Sequence, residues 1–552
     1  MTAATSVDSV PGVRVDTPVA VIGAGPVGLV TALLLARYGV PCQVFERHPA
    51  PYPLPRAVHM DDEVMRILQA VDAADAFAAR SLPALGMQLV DARHRVLARF
   101  LRDAPLGAHG FPQANMFDQP ELEQILRDLL ERQPLIDLHG DTEVLGLTLP
   151  PPGSALPTAV RVQDLTTGRE RTVHAAAVLG CDGAASLTRQ AIGSHHQVLG
   201  EPQHWFVVDV RCPLPLPAWE GVHQVCDPAR PATYMRIGAD RYRWEFRLTD
   251  QDADAAMTDR SRLLRLLAPW TASIPEERLD VVRVARYTFR AQVADRWRQD
   301  RVLLLGDAAH LTPPFIGQGL GAGLRDAHNL AWKLAGVLKG RSAETLLDTY
   351  ESERRPHAVH LVRTAVLIGR AMTSAHPAVR VSRRTALAVG RHTGLLTHAA
   401  PTTLSPALQG GALARRSPTA RRTPFSGRGP RRGEIVPQPP LTTPDGRPER
   451  LDDILGDGFA LLACRPPTPE EIRLAQALPA KIVTVLSPGD TPANDETTTR
   501  VIDASGALRT WLRGGVALLR PDRVVLAAHH GRNESLAESA HTWAKLLAPA
   551  GP

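Results

Sequence analysis

The chain is expected to fold as a multi-domain α/β protein whose first unit is a Rossmann-like, dinucleotide-binding βαβ layer. Three observations carry this expectation. An apolar strand pattern at 19–22 runs into Gly23-x-Gly25-x-x-Gly28 and then into a helical pattern with Leu29, Leu33 and Ala36 on one side. A second apolar run at 40–45 ends on Glu46, 18 residues past Gly28. At 552 residues the chain is too long for one ordinary core, so two or three domains are expected.

Each element follows in order. In the first turn Gly23 permits the tight bend, Gly25 lets the backbone approach a pyrophosphate, and Gly28 packs helix on strand. The helix N-terminal amides favour phosphate charge. An acid at Glu46 suits an unphosphorylated ribose, hence FAD or NAD. Arg56, in the proline-rich loop PAPYPLPRAVHM, reads equally as a pyrophosphate partner or a surface arginine. A strand at 176–180 leads to CDGAASLTR, in which Asp182-Gly183 alone reads as an ordinary turn. Strand-like patches follow at 204–210 and 241–248, then a strand at 301–305 that delivers GDAAHLTPPFIGQGLGAGLRDAHNLAWKL. Helices are expected at 320–340, 343–371 and 376–398. Glycine costs ~1 kcal/mol per interior helix position relative to alanine. Gly317, Gly319, Gly321 and Gly323 therefore point to a helix start crowded by a flat ligand. Residues 401–440 read as a flexible Pro/Arg-rich linker. Strands at 459–464, 481–486 and 516–519 and a helix at 536–547 then form a small αβ domain.

Composition excludes several classes. The net charge of +6 is carried by 415–432, which holds seven arginines and no acid, leaving the remainder near −1. That stretch is rich in Pro, Gly and Ser and has Phe425 as its one aromatic, so a solvated linker is favoured over nucleic-acid binding. No run of about 18 apolar residues spans a membrane, and 1–17 is a polar, disordered leader rather than a signal peptide, so a cytoplasmic location is expected. The five cysteines include no C-x-x-C, and no His, Cys or carboxylate constellation suggests a metal.

Taken together, GAGPVGL, CDGAASLTR and LLLGDAAHLTPPFIGQGLGAGLRDAHNLAWKL, in that order, resemble the single-component FAD-dependent aromatic hydroxylases. The resemblance extends through RPATYMRIGADRYRWEFRL, LLDTYESERRPHA and LLRPDRVVLA. Within the group it is nearest to the 3-(3-hydroxyphenyl)propanoate / 3-hydroxycinnamate hydroxylases. It implies a FAD-binding domain over 18–190, with insertions to the substrate layer around 84–116, that resumes at 296–400 together with a helical region. It further implies an inserted α+β substrate-binding middle domain over 191–295 and a thioredoxin-like domain over 441–552 that lacks a dithiol.

The resemblance also assigns residues. FAD would lie on Gly23, Ala24, Gly25, Pro26, Val27, Gly28 and Glu46, with Arg47 near the adenosine and Arg56 on the pyrophosphate. Gln119 would lie against the cofactor, Asp182 and Arg189 would belong to a motif shared with nicotinamide binding, and Asp307 would hold the ribityl chain. Gly306, Pro314, Gly317, Gly319 and Leu320 would complete the isoalloxazine seat.

The activity implied is reduction of FAD by NADH or NADPH, followed by transfer of oxygen from O2 to a carbon ortho to a phenolic hydroxyl. The partners are then a small phenolic substrate and O2, with a homodimer allowed. Tyr287 and His59 are candidate catalytic groups. Tyr234, Arg236, Arg243 and Trp244 are candidate substrate contacts, or else alternating strand residues on a packed or solvated face. A flavin halogenase would want W-x-W-x-I-P, which is absent, and a disulfide reductase would want a cysteine beside Cys42. A polyketide-type ring hydroxylase and a non-enzymatic flavin-binding scaffold remain as rival readings.

Overall fold

The computed structural model describes residues 15–51, 56–102, 104–154, 156–249, 259–374, 405–414, 429–490 and 498–529, and near the C-terminus 536, 540 and 543–548. Of the leader expected over 1–17, residues 1–14 lie outside the described residues and Thr17 already opens a strand, and the helix expected at 376–398 lies outside the described residues as well.

A mostly parallel sheet organises the first layer. Its strands run in the order Val302–Leu304, Glu170–Gly180, Thr17–Ile22, Cys42–Phe45, Ile136–His139, all parallel. Arg298–Gln299 adds an antiparallel edge, and Thr158–Asp164 pairs antiparallel with Glu170–Gly180. Helices cover these strands, so they are apolar almost without alternation, as a sheet buried on both faces requires. Val19, Ala20, Val21, Val178 and Leu303 are wholly buried. The helix Pro26–Arg37 follows the glycine turn with Pro26 in its first turn, and packs against the helices Gln119–Leu130 and Gly319–Leu338.

A second, eight-stranded sheet runs His310–Leu311, Asp280–Ala294, His196–Arg211, Arg241–Arg247, Ala232–Arg236, Val222–Val225, Gly86–Val90, Val96–Leu101. The patch at 204–210 is the buried C-terminal part of a 16-residue strand, because its more polar N-terminal half also pairs with the 15-residue Asp280–Ala294. One face of this sheet is closed by the helix Arg260–Thr271, giving a separate aromatic core. A small three-stranded sheet, His59–Met60 with Asn115–Met116 and Leu82–Pro83, belongs to the same region.

The tail is a third sheet. Ala460–Ala463, Lys481–Leu486 and Thr499–Ile502 run parallel, and Val516–Leu519 and Val525–His529 add antiparallel beside Ala460–Ala463. The described parts of the expected linker do not behave as free chain. Leu413, Ala414, Val436 and Gln438 are buried, because apolar residues within the Pro/Arg-rich composition dock against both the helices and the tail. No helix among the described residues is long and apolar enough to cross a membrane.

Candidate active site

The glycine turn shows three different steric roles. Gly23 has φ +99°, and a Cβ there would stand 2.5 Å from the Cys181 carbonyl oxygen. At Gly28 a Cβ would fall 1.9 Å from the Gly23 carbonyl oxygen, so only glycine lets helix and turn approach. Gly25 is the opposite case: its backbone is extended, and nothing of the protein lies within 4 Å of a Cβ. The open side of this turn meets a helix N-terminus that has no side-chain cap, an arrangement suited to phosphate oxygens. Glu46 closes the turn, accepting from the Ala24 amide at 2.8 Å and the His48 amide at 3.0 Å. Arg47 is exposed beside it, with Nε 3.3 Å from His48 Nε2.

Gln119 braces the neighbouring loop. Its Oε1 accepts from the Arg56 amide at 3.2 Å and the Ala57 amide at 2.7 Å, while its Nε2 donates to Glu123 at 2.7 Å. Asp182 caps the next turn, accepting from Ser186 Oγ at 2.6 Å and from the Thr188 amide at 2.9 Å. Arg189 then ties two motifs together, donating to the Ala184 carbonyl at 3.0 Å and the Ala308 carbonyl at 3.1 Å.

Asp307 sits on the short turn Gly306–Ala308, where solvent reaches it. The surrounding protein pushes its carboxyl pKa up, against the charges of His310 and Arg56. The turn is anchored from behind by a residue that sequence reasoning missed. Asp326, fully buried, accepts from the Gly306 amide at 3.1 Å, from His310 Nε2 at 2.7 Å and from Arg354 Nε at 2.8 Å. The available signal was an acid beside Ala327, on the apolar side of a helix, where a carboxylate must be paired.

The seat follows. The turn Pro314–Ile316 ends on Gly317 at φ +62°, and the helix Gly319–Leu338 starts with no side-chain cap. A Cβ on Gly319 would find only the Thr312 carbonyl at 4.0 Å, so the backbone there is open to a ligand. Leu320, half-buried, packs on the core beneath. Gly321 and Gly323 depart from the flat-ligand expectation. A Cβ on Gly321 would meet Arg325 Nη1 at 2.8 Å, and one on Gly323 would meet Val27 at 2.7 Å and Gly306 Cα at 3.0 Å. These two glycines admit protein neighbours instead, and so does Gly317, where a Cβ would stand 2.8 Å from His59 Nδ1.

His59 faces the seat, with Nδ1 3.3 Å from the Gly317 carbonyl. Burial, helped by Arg102, lowers its pKa, so the ring is neutral at neutral pH. A carbonyl accepts only from a protonated nitrogen, which puts the proton on Nδ1 and leaves Nε2 as an acceptor.

The sheet sorts the remaining candidates by face. Tyr234 and Trp244 lie in the aromatic core under Arg260–Thr271, with ring centroids 5.3 Å apart and Trp270 5.6 Å from Tyr234. Arg236, at the end of the same strand, pairs with Glu220 at 3.0 Å and its guanidinium lies 5.8 Å from the Tyr242 ring centroid. These three therefore correct the substrate assignment: they build the far side of the sheet. Arg243 and Tyr287 occupy the other side. Arg243 is buried, bidentate to Asp209 at 2.7 and 3.0 Å, and donates to the Arg56 carbonyl at 3.2 Å. Tyr287 pairs across the ladder with Trp205, whose ring lies 5.8 Å from Phe315 of the seat. A recess of about 70 Å³ opens beside it between Phe289, Pro313, Phe315 and Val366.

An open dinucleotide turn, a ribose-side acid and a glycine seat facing a β-sheet floor define the class of a flavin-dependent aromatic-ring hydroxylase. Comparison with known proteins agrees. A family model described as FAD binding domain matches residues 16–365, and one described as HcaD C-terminal domain matches 433–543. The chain belongs to this FAD-binding flavoprotein monooxygenase family. It is 33% identical over 540 residues to a 3-(3-hydroxy-phenyl)propionate/3-hydroxycinnamic acid hydroxylase of Burkholderia vietnamiensis, covering 93% of this chain and 94% of that one. It is also 33% identical over 454 residues to a protein named Probable NADH-specific resorcinol 4-hydroxylase of Rhodococcus jostii, covering 82% and 80%. Among solved structures, aklavinone-11 hydroxylase with FAD and aklavinone superposes with a TM-score of 0.75 at 23% identity, over 97% of this chain and 99% of that one.

Proposed function

We propose that the protein hydroxylates 3-(3-hydroxyphenyl)propanoate, and 3-hydroxycinnamate, ortho to the phenolic hydroxyl to give the 2,3-dihydroxy product, with NADH or NADPH as reductant. The observation that carries this reading is 33% identity spread over nearly the whole of both chains, tail included, to a hydroxylase of that substrate pair. The NADH-specific relative supports NADH as the reductant to try first.

The residues present fit FAD. The open space at Gly25 receives the pyrophosphate, Glu46 the adenosine ribose and Asp307 the ribityl hydroxyls, while the open backbone at Gly319 admits the ring system. Arg56 adds positive charge on a loop that Gln119 holds in place, and Asp182 with Arg189 keeps the two cofactor turns in register. When bound, FAD supplies electron transfer from the nicotinamide and the activation of dioxygen. The uncapped amides of Gly319–Leu338 favour negative charge at the seat. Tyr287 accepts or donates at the phenol oxygen, and His59, with Nε2 unprotonated, takes the phenol proton. Arg243, already neutralised by Asp209, shapes the floor. The sheet containing 191–295 acts as an inserted substrate domain. The tail, with its run of parallel then antiparallel strands, acts as a thioredoxin-like brace without redox chemistry.

The test follows NADH consumption and product formation by the FAD-loaded protein with 3-(3-hydroxyphenyl)propanoate, 3-hydroxycinnamate, resorcinol and a fused-ring phenol in parallel. Catechol formation from the first two is expected. Turnover confined to resorcinol or the fused-ring phenol would end this substrate assignment and leave the hydroxylase class intact.

A further inference from the structure

The eight-stranded sheet carries a buried carboxyl that the roles above leave unused. Glu245 lies on the strand Arg241–Arg247, directly opposite Val207 on one side and Thr233 on the other. Tyr242, Trp244 and Phe246 of that strand belong to the aromatic core under Arg260–Thr271. Alternation therefore puts Arg243, Glu245 and Arg247 on the opposite face. Two contacts bring the flavin layer against this face. Arg243 Nη1 donates to the Arg56 carbonyl at 3.2 Å, and the ring of Trp205, the cross-strand partner of Arg247, lies 5.8 Å from Phe315. Glu245 occupies the row between these two contacts, about 7 Å along the sheet from each.

Glu245 is 8% exposed, and among the described residues it has no hydrogen-bond or ion-pair partner. The neighbours that could donate to it are engaged elsewhere. The Thr233 hydroxyl donates to Gln224 Oε1 at 3.1 Å, and Gln224 Nε2 donates to the Ala232 carbonyl at 3.1 Å. Arg243 gives Nε and Nη2 to Asp209, at 2.7 and 3.0 Å. Burial pushes the Glu245 pKa up, the Arg243 charge opposes this, and Asp209 adds to it. Ionised or protonated, the carboxyl keeps an oxygen that accepts, and a buried acceptor left without a donor is costly.

The substrate named above does not supply that donor. Its one hydroxyl is taken by Tyr287 and His59, and its carboxylate is itself an acceptor.

We propose that Glu245 determines specificity by accepting a hydrogen bond from a second ring hydroxyl, so that the preferred substrates are phenols with a further hydroxyl meta to the first. Meta placement splays the two hydroxyls toward different residues of the floor. It also leaves the carbon ortho to the first hydroxyl free to be oxygenated. The proposal rests on the hydroxylase reading and extends the substrate class beyond 3-(3-hydroxyphenyl)propanoate. A site built to pair with a hydroxyl rejects the analogue in which that hydroxyl is methylated or missing, because its own polar group is then left unpaired.

The test uses the full-length, FAD-loaded protein with NADH and reads kcat/KM for product formation. Three ligands are compared: 3-(3,5-dihydroxyphenyl)propanoate, 3-(3-hydroxy-5-methoxyphenyl)propanoate and 3-(3-hydroxyphenyl)propanoate. The dihydroxy compound is expected to exceed each of the others by about tenfold or more. Glu245→Gln offers a donor as well as an acceptor in nearly the same volume, so it should bring the dihydroxy-to-methoxy ratio close to one with flavin content unchanged. A merely structural role would lower all three values together and leave that ratio where it was. If Glu245→Gln does not fold, the ratios of the parent protein decide alone. Equal kcat/KM for the dihydroxy and monohydroxy compounds, or a ratio that Glu245→Gln does not move, would overturn the proposal and leave the hydroxylase reading intact. Turnover of the dihydroxy compound alone would support the proposal and end the 3-(3-hydroxyphenyl)propanoate assignment. No turnover of any of the three would overturn both.

Discussion

Gly25 and Gly28 stand three residues apart in the same motif, yet they answer to different neighbours. Alanine at Gly25 meets no protein atom within 4 Å and suits the extended backbone already present. Gly25→Ala is therefore expected to leave the melting temperature of the FAD-free protein unchanged while lowering retained flavin severalfold, read from the ratio of absorbance at 450 and 280 nm. Gly28→Ala puts a methyl 1.9 Å from a backbone oxygen and should destabilise the FAD-free protein itself. At Tyr287 the expectation is kinetic. Tyr287→Phe should cut substrate-stimulated NADH oxidation by about tenfold, the value of one hydrogen bond of ~1.4 kcal/mol. An unchanged rate would remove it from the phenol site.

Among elements, the helix Gly319–Leu338 shows how one segment serves two partners. Its apolar spacing through Leu324, Ala327, Ala331 and Leu334 faces the core. The side carrying Asn329 and Lys333 is buried too, under the tail turn that brings Arg520 and Asp522. Lys333 Nζ and Arg520 Nη1 each reach Glu353, at 2.8 and 2.9 Å. Burial pulls the Lys333 pKa down to about 8, against the pull of Glu353. Removing Arg520 leaves Asp522 without its guanidinium while Glu353 keeps Lys333, so Arg520→Met should cost ~3–5 kcal/mol. Lys333→Met should cost distinctly less, since Glu353 keeps Arg520. Thermal unfolding of the two variants in parallel checks the order, and the reverse order would contradict it. The helix start was only half legible. Four alternating glycines suggested one flat ligand, whereas a Cβ at Gly321 would meet Arg325 of the same helix and Val64, and one at Gly323 would meet Val27 and Gly306, the last three brought up by other elements.

Across the whole molecule, the tail is joined to the flavin layer by buried charge. Burial alone would raise the Asp452 carboxyl, but Arg66 and Arg523 outweigh it and hold its pKa at about 2, below the ordinary 3.8. Folding thus favours the ionised form. The contribution, about 2 kcal/mol, is complete above about pH 4 and is lost as pH falls toward 2. Asp452→Asn should lower the melting temperature at pH 7 and flatten its fall between pH 4 and pH 2. A fall as steep as that of the unmodified protein would show that this joint does not govern acid stability.

The parallel layer, its glycine turn and the tail strands at 481–486 and 516–519 were written locally. Backbone sterics at glycine and unbroken apolar runs act over a few residues, and no distant contact is needed to read them. The sheet floor was different. A strand alternates with period two whichever side is covered, so Tyr234 and Trp244 on one face and Arg243 and Tyr287 on the other read alike in sequence. Only the docking of Arg260–Thr271 on one side assigned the first pair to packing and left the second pair on the opposite face of the sheet. The same holds for Asp326 and Arg523, whose roles arise from groups brought together over long stretches of chain.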